Sequence, residues 1–257
     1  MERITSRQNP LFQKVKKLNV QPSFRRQQGL FVGEGPKLLE EALRWKAQVE
    51  TVILAQGKTC TPSGCRVVET PADVLASLAD TDAPQGVIFL CRLPDTALPE
   101  RLPSGRYLVL DGVQDPGNLG TIWRTADALG AAGLLLTGPC ADPFGPKTVR
   151  ATMGACFRLP VWKGERQAVA RLVKDSGLSL FATALRADTQ DIRQAELEKA
   201  AVVIGSEGRG VSEELLSLCD RTLKIPMVDR CESLNAAMAA GIVLWEGARK
   251  EGGAWQT

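Results

Sequence analysis

The chain has 257 residues, 44% hydrophobic and 24% charged, the balance of a globular protein long enough for one large domain or two modest ones. It has no histidine, which excludes a Ser-His-Asp triad, a histidine general base and an HExxH metal site. Any catalysis must therefore rest on Arg, Lys, carboxylates, hydroxyls or amides. Seven cysteines stand at 60, 65, 91, 140, 156, 219 and 231 without a CxxC pair, so neither a metal site nor a disulfide framework is expected, and a reducing, cytoplasmic setting is. No apolar run is long enough to cross a bilayer, residues 1–17 are too polar for a signal peptide, and no membrane partner is expected. The net charge of +3 is unevenly spread: residues 1–30 hold Arg3, Arg7, Lys14, Lys16, Lys17, Arg25 and Arg26 against Glu2 alone. Such a basic end fits a polyanion partner or a solvated helix face.

In chain order, Leu11, Val15 and Leu18 at helical spacing predict a short basic helix over residues 8–19. "GLFVGEG" reads as strand and turn, followed by a helix from Pro36 to Trp45 with Pro in its first turn. "TVILA" (51–55) and "GVIFLC" (86–91) read as buried strands, with a helix near Pro71–Leu78 between them. Prolines at 94, 99 and 103 prevent continuous helix or sheet. The expected division is therefore a first domain of residues 1–92, a linker of 93–105 and a second domain of 106–257.

Beyond the linker, strands and helices alternate. "YLVLD", "GLLLTG", "LSLFATA", "AVVIG" and "TLKIP" read as strands. Helices are expected after Asn118, near Lys147–Ala155, near Glu165–Asp175, from Ser212 and from Ser233. Continuous apolar strands alternating with helices predict an α/β fold with a parallel sheet. Ligands in such sheets gather at the carboxyl ends of the strands.

Three loops at those ends have unusual composition. In "DPGNLGTIWRTADALG" (115–130), Asn118 suits a helix N-cap, and Ile122, Ala126 and Leu129 form the core stripe. Arg124 lies off that stripe, and its guanidinium leans back toward the loop mouth. In "VVIGSEGRGVSEEL", a buried strand ends at Gly205, Glu207 sits in a glycine-rich loop and Ser212 caps the next helix. A dinucleotide fingerprint fails because Glu213 stands where its third glycine should be. A Walker A loop fails because Pro146 follows Gly145. In "IPMVDRCESLNAAMAAGIVLWEGAR", a polar turn delivers Ser233 and Asn235 to a helix that opens with small residues, which allow close approach of a backbone or ligand. Taken singly, the first reads foremost as a capped helix with a surface arginine, the second as a strand–turn–helix connection with flexible glycines, and the third as a buried core helix, which explains its small side chains better than its "ESLN" entry.

Together and in this order, "DPGNLGTIWRTADALG", "VVIGSEGRG" and "IPMVDRCESLNAAMAAG" resemble the three motifs of the SpoU (TrmH) family of RNA 2′-O-ribose methyltransferases in the SPOUT superfamily, over about residues 106–247. "ITSRQNPLFQKVKKL" with "FVGEGPKLLEEAL" resembles the substrate-binding extension of ribosomal-RNA members, whose fold is similar to ribosomal protein L30e. Small departures, Ala236, Ala237 and Met238 in place of a more β-branched run, touch packing rather than chemistry.

The resemblance implies a parallel-sheet domain with a C-terminal trefoil knot, an exception to unknotted topology. It implies S-adenosylmethionine held in the knot by Thr183, Ala184, Leu185, Gly205, Gly208, Ile225, Met227, Ser233, Leu234 and Asn235, and a homodimer packed partly through the last helix. Asn118, Arg124, Glu207, Ser233 and Asn235 are the implied catalytic set. An arginine side chain ordinarily stays protonated, which favours Arg124 as a phosphate clamp and polariser of the 2′-OH; action as a base activated by the RNA phosphate is the alternative. Glu207 is expected to order the loops by hydrogen bonds or pair with an arginine. Arg7, Lys14, Lys17, Arg25 and Arg26, with Arg124, are the expected RNA contacts. The implied substrate is ribosomal (23S-type) RNA; the alternatives are the same reaction on tRNA, or a non-catalytic RNA-binding or ribosome-assembly factor.

Overall fold

A computed structural model of the protein describes residues 2–60, 64–184, 186, 189–228, 230 and 233–249. The chain forms two compact units, Met1–Pro94 with Asp142–Phe157, and Asp95–Ala141 with Arg158–Thr257.

The first unit runs β1 (Glu2–Arg3), α1 (Pro10–Val20), α2 (Pro22–Gln28), β2 (Leu30–Glu34), α3 (Pro36–Arg44), β3 (Val49–Ala55), β4 (Arg66–Thr70), α4 (Ala72–Ala76) and β5 (Val87–Arg92). Its sheet has the order β1-β4-β3-β5-β2, with β4 parallel to β1 and β3, and β5 antiparallel to β3 and β2. Asn9 caps α1 by accepting the Leu11 N–H at 2.9 Å, with Pro10 in the first turn. The buried stripe of α1 is Phe12, Val15 and Leu18, packed with Leu30, Val32, Ile53, Ile88 and Leu90; Leu11 lies at its margin. Burial of each such side chain is worth about 1.5–3 kcal/mol, so the basic N-terminal helix is part of the core.

Residues 142–157, expected within the second domain, pack with the first unit instead. Asp142 pairs with Arg25, while Phe144 and Phe157 meet Phe31 at ring-centroid distances of 5.1 and 6.2 Å. The physical reason is aromatic packing plus an ion pair: two rings and a carboxylate find their partners on β2 and α2.

The second unit contains β6 (Tyr107–Asp111), α5 (Pro116–Ala128), β7 (Gly133–Thr137), β8 (Val161–Lys163), α7 (Arg166–Asp175), β9 (Ser179–Thr183), β10 (Gln190–Asp191), β11 (Ala200–Gly205), α8 (Glu213–Leu218), β12 (Arg221–Lys224) and α9 (Ala236–Arg249); α6 (Pro146–Ala151) lies in the segment that packs with the first unit. Its seven described strands are paired in parallel, in the order β10-β12-β9-β11-β6-β7-β8. Helices α7 and α8 cover the face bearing Tyr107, Val109, Leu135, Leu180, Ala182, Ala201 and Val203. Helices α5 and α9 pack against each other and onto β7 and β11, respectively. The chain leaves β6 toward β7 on one side and later returns to β11 on the other, so a topological switch point lies between β6 and β11. Gly205 stands opposite Asp111 at the carboxyl end of that pair, where such sheets open a ligand crevice.

Candidate active site

The loops after β6 and β11 and the turn before α9 meet at this edge. Asp115, not Asn118, caps α5: its Oδ1 accepts the Asn118 N–H at 2.7 Å. Both residue types suit a cap, and the proline at position 116 sets the helix start one turn earlier than expected. Freed from capping, the Asn118 side chain bridges the other two loops. Its Nδ2 donates to Glu207 Oε1 at 2.6 Å, and its Oδ1 accepts from Asn235 Nδ2 at 3.1 Å. Asn235 caps α9, its Oδ1 accepting the N–H groups of Ala237 at 2.9 Å and Met238 at 3.3 Å. One carboxylate and two amides thus join three segments far apart in sequence. A hydrogen bond to a charged acceptor contributes about 1.5–3 kcal/mol when shielded, and less at this exposed site. Glu207, for which an arginine was one expected partner, spends an oxygen on an amide instead.

Arg124 lies six residues after Asn118 on α5, a rise of about 9 Å along the helix. It is exposed and makes no hydrogen bond or ion pair among the described residues, so its guanidinium is free to meet an anion. Leu119, Ile122, Trp123 and Ala126 form the buried side of the same helix.

Glu207 rides on a short hairpin in which Ser206 and Gly210 exchange N–H···O bonds of 3.0 and 2.9 Å. Gly205 lies under it: a Cβ there would stand 2.0 Å from the Gly210 carbonyl carbon and 2.2 Å from the Val211 nitrogen. Only glycine lets the strand end pass so close to the hairpin.

Beside the hairpin is a cavity of about 410 Å³, within the range of ~300–1,000 Å³ common for small-molecule sites. Thr183, Ala184, Gly205, Gly208, Ile225, Met227, Ser233 and Leu234 line it, as expected of cofactor contacts. Leu185, expected among them, lies outside the described residues. Asn235 does not line the cavity; its amide belongs to the Asn118 node. Leu223, Ser206, Ala236 and Ala239 also line it and were not expected among the cofactor contacts, although Ser206, Ala236 and Ala239 lie within the motifs and Leu223 two residues before the third. The Thr183 hydroxyl donates to the Val203 carbonyl at 2.9 Å, which ties the ends of β9 and β11 together.

In the first unit the basic residues divide. Arg25 is buried and fully engaged: its Nε and Nη2 donate to Asp142 at 3.1 and 2.7 Å, and its Nη1 donates to the carbonyls of Leu18 and Asn19. It is therefore corrected from an RNA contact to a core ion pair. Arg7 pairs with Asp73 at 2.7 Å but stays exposed, Lys17 lies 5.7 Å over the Phe24 ring, Lys14 is half-buried and Arg26 is exposed. Among the described residues, no helix is long and apolar enough to cross a membrane.

Comparison with known proteins matches this architecture. The SpoU rRNA Methylase family model matches residues 105–245, and a model for an MRM3-like substrate binding domain matches residues 9–88. The Bacillus subtilis (strain 168) 23S rRNA (guanosine(2553)-2′-O)-methyltransferase RlmP is 35% identical, over 95% of this chain and 98% of its own. Among solved structures, an AdoMet-bound rRNA methyltransferase from Sinorhizobium meliloti superposes with a TM-score of 0.87 at 32% identity, over 97% of this chain and 98% of its own. The SpoU methyltransferase AviRb from Streptomyces viridochromogenes, in complex with AdoMet, gives 0.85 at 28% identity, over 95% and 98%. The chain belongs to the SpoU rRNA methylase family.

Proposed function

We propose that this protein transfers the methyl group of S-adenosylmethionine to a ribose 2′-OH in ribosomal RNA of the large, 23S-type subunit. The observation that carries the proposal is the Glu207–Asn118–Asn235 node, which gathers the three family motifs beside a cofactor-sized cavity. The cavity fits S-adenosylmethionine on its own terms. It opens at the carboxyl ends of β9, β11 and β12, where backbone groups are available for a heterocycle's edge. Leu223, Ile225, Met227 and Leu234 supply apolar walls, and Gly205 and Gly208 line it with backbone alone.

S-adenosylmethionine, when bound, supplies a methyl group already activated on a sulfonium. The protein's work is to hold the ribose in line with it; positioning of this kind supplies on the order of 7–11 kcal/mol in the best cases. Arg124 clamps the phosphate beside the target ribose and polarises the 2′-OH as a positively charged, planar donor. Asn118, locked at both ends of its amide, fixes the start of α5 and so the aim of Arg124. Glu207 orders the hairpin that borders the cavity. Ser233 lines the cavity at the mouth of α9, and Asn235 holds that helix to the node.

The N-terminal unit is the RNA-holding domain, gripping the phosphate backbone through Arg7, Lys14, Lys17 and Arg26. The protein acts as a homodimer in the cytoplasm. Support for the dimer is the apolar row Met238, Ile242 and Trp245 exposed on α9 at spacings of four and three. Support for the cytoplasm is that Cys60, Cys91, Cys140 and Cys219 are free thiols. The knot belongs to the same reading. In its support, β12 lies between β10 and β9, and α9 packs on α5, on β11 and on residues 192–194 of the connection that joins β9 to β11.

The test is transfer of labelled methyl from S-adenosylmethionine to deproteinised ribosomal RNA, with tRNA in parallel. Label in large-subunit RNA alone is expected. Label in tRNA alone would move the substrate, and cofactor binding with no label in any RNA would favour a non-catalytic RNA-binding factor.

A further inference from the structure

We propose that Asp111 and Arg166 are a positioning pair for the methyl-transfer site, fixing the loop that carries Glu207 through the backbone N–H of Ser212. The inference rests on the functional reading above. Asp111 closes β6 and is buried, and it does not line the cavity. Its Oδ1 accepts from Arg166 Nε at 2.9 Å and lies 2.9 Å from Nη2, while its Oδ2 accepts the Ser212 N–H at 2.8 Å. Arg166, at the start of α7, also lies 3.5 Å from Glu214 on α8. Gly138, after β7, makes room for the guanidinium, since a Cβ there would stand 2.6 Å from Nη2. Loops following β6, β7, β8 and β11 therefore converge on one carboxylate.

The geometry explains what the pair is for. The segment 206–212 is pinned at its near end by the Ser206–Gly210 bonds and at its far end by Ser212 on Asp111. Glu207 stands between these two anchors and reaches Asn118. Stability alone is a weak reason for a buried ion pair, because apolar residues of similar volume stabilise as well or better. A fixed register between the loop after β6 and the loop after β11 is something only a directional contact supplies. The hydrogen bond it donates to Asp111 also makes Arg166 hold its proton more tightly than a free guanidinium.

The test is a cycle with Glu207, measured at saturating S-adenosylmethionine. Asp111→Asn keeps an oxygen for Ser212 but gives up the charge that holds Arg166. It should lower kcat ~10–100-fold, the loss that accompanies a displacement near 1 Å. In a Glu207→Ala background the same change should cost less than about 2-fold in kcat, because its effect runs through Glu207, while its effect on melting temperature persists in both backgrounds. Ser212→Pro is a second variant: Ser212 has φ −64°, which proline adopts, so the change removes the N–H to Asp111 together with a buried hydroxyl that makes no hydrogen bond. It should reproduce the kcat pattern. Amide exchange across residues 206–212 should quicken in both variants while β11 stays protected. An equal kcat loss with and without Glu207, or unchanged exchange in 206–212, overturns the inference. An inactive wild-type enzyme on all ribosomal RNA would instead overturn the functional reading, and the exchange experiment would still decide whether Asp111 tethers the loop.

Discussion

Gly205→Ala isolates how closely the cofactor cavity and the catalytic hairpin are built into each other. The new methyl would lie 2.0 Å from the Gly210 carbonyl carbon, 2.2 Å from the Val211 nitrogen and 2.3 Å from the Gly210 oxygen, all of them backbone atoms. Ordinary contact begins at 3.4 Å, so strand and hairpin must part by about 1.4 Å. Strand β11 cannot retreat, because Gly205 is in register with Asp111 and β9 flanks the other side. The hairpin therefore moves, and Glu207 moves with it, away from Asn118. Overpacking of this kind costs about 1–3 kcal/mol, which lowers the melting temperature by ~2–4 °C per kcal/mol in a chain of this size. The loss of aim should lower kcat by about 100-fold. The assays are a thermal melt and single-turnover methyl transfer at saturating cofactor. Wild-type turnover in Gly205→Ala would refute this reasoning, because it would mean that the hairpin does not need its place.

Three other outcomes follow from the structure. Asp142→Ala strands Arg25 among the carbonyls of Leu18 and Asn19 and should destabilise the protein toward the lower end of about 3–5 kcal/mol in chemical denaturation; an unchanged midpoint would make Arg25 a surface charge after all. Replacing Lys14, Lys17 and Arg26 by alanine, rather than deleting a segment that contains Phe12, Val15 and Leu18, should weaken the salt dependence of RNA binding. The slope of log affinity against log salt should fall by ~0.7–0.9 for each phosphate no longer neutralised. Filter binding across a salt series reads that slope, and an unaltered one would move the RNA grip elsewhere. Met238→Asp with Trp245→Glu places charge on the exposed apolar row of α9 and should convert a dimer to a monomer in light scattering; a dimer that survives would place the interface on another surface.

Much of the second unit is legible in its sequence because parallel strands are buried on both faces. Tyr107–Asp111, Gly133–Thr137 and Ala200–Gly205 are continuous apolar runs, and each is a strand. Strands β1, β4, β8 and β10 have two to five residues and no apolar run, and periodicity does not single them out. The destination of residues 142–157 is set by Arg25, Phe31 and Phe89, contacts more than fifty residues away that no local pattern encodes. Arg25 and Arg26 are alike in composition; their phase on α2, one turned into the core and the other to solvent, separates them. At the site, residue types and loop glycines are readable, but the hydrogen bonds that join Asn118 to Glu207 and Asn235 span 89 and 117 positions. Only family resemblance links those loops in advance, and it leaves open which side chain caps which helix.

The most direct test is nucleoside analysis of ribosomal RNA treated with S-adenosylmethionine and either the wild-type enzyme or Arg124→Ala. One new alkali-resistant, 2′-O-methylated position is expected with the wild-type protein. None is expected with Arg124→Ala, although calorimetry should find that variant still binding the cofactor. Full methylation by Arg124→Ala would contradict the role given to the one motif arginine on α5.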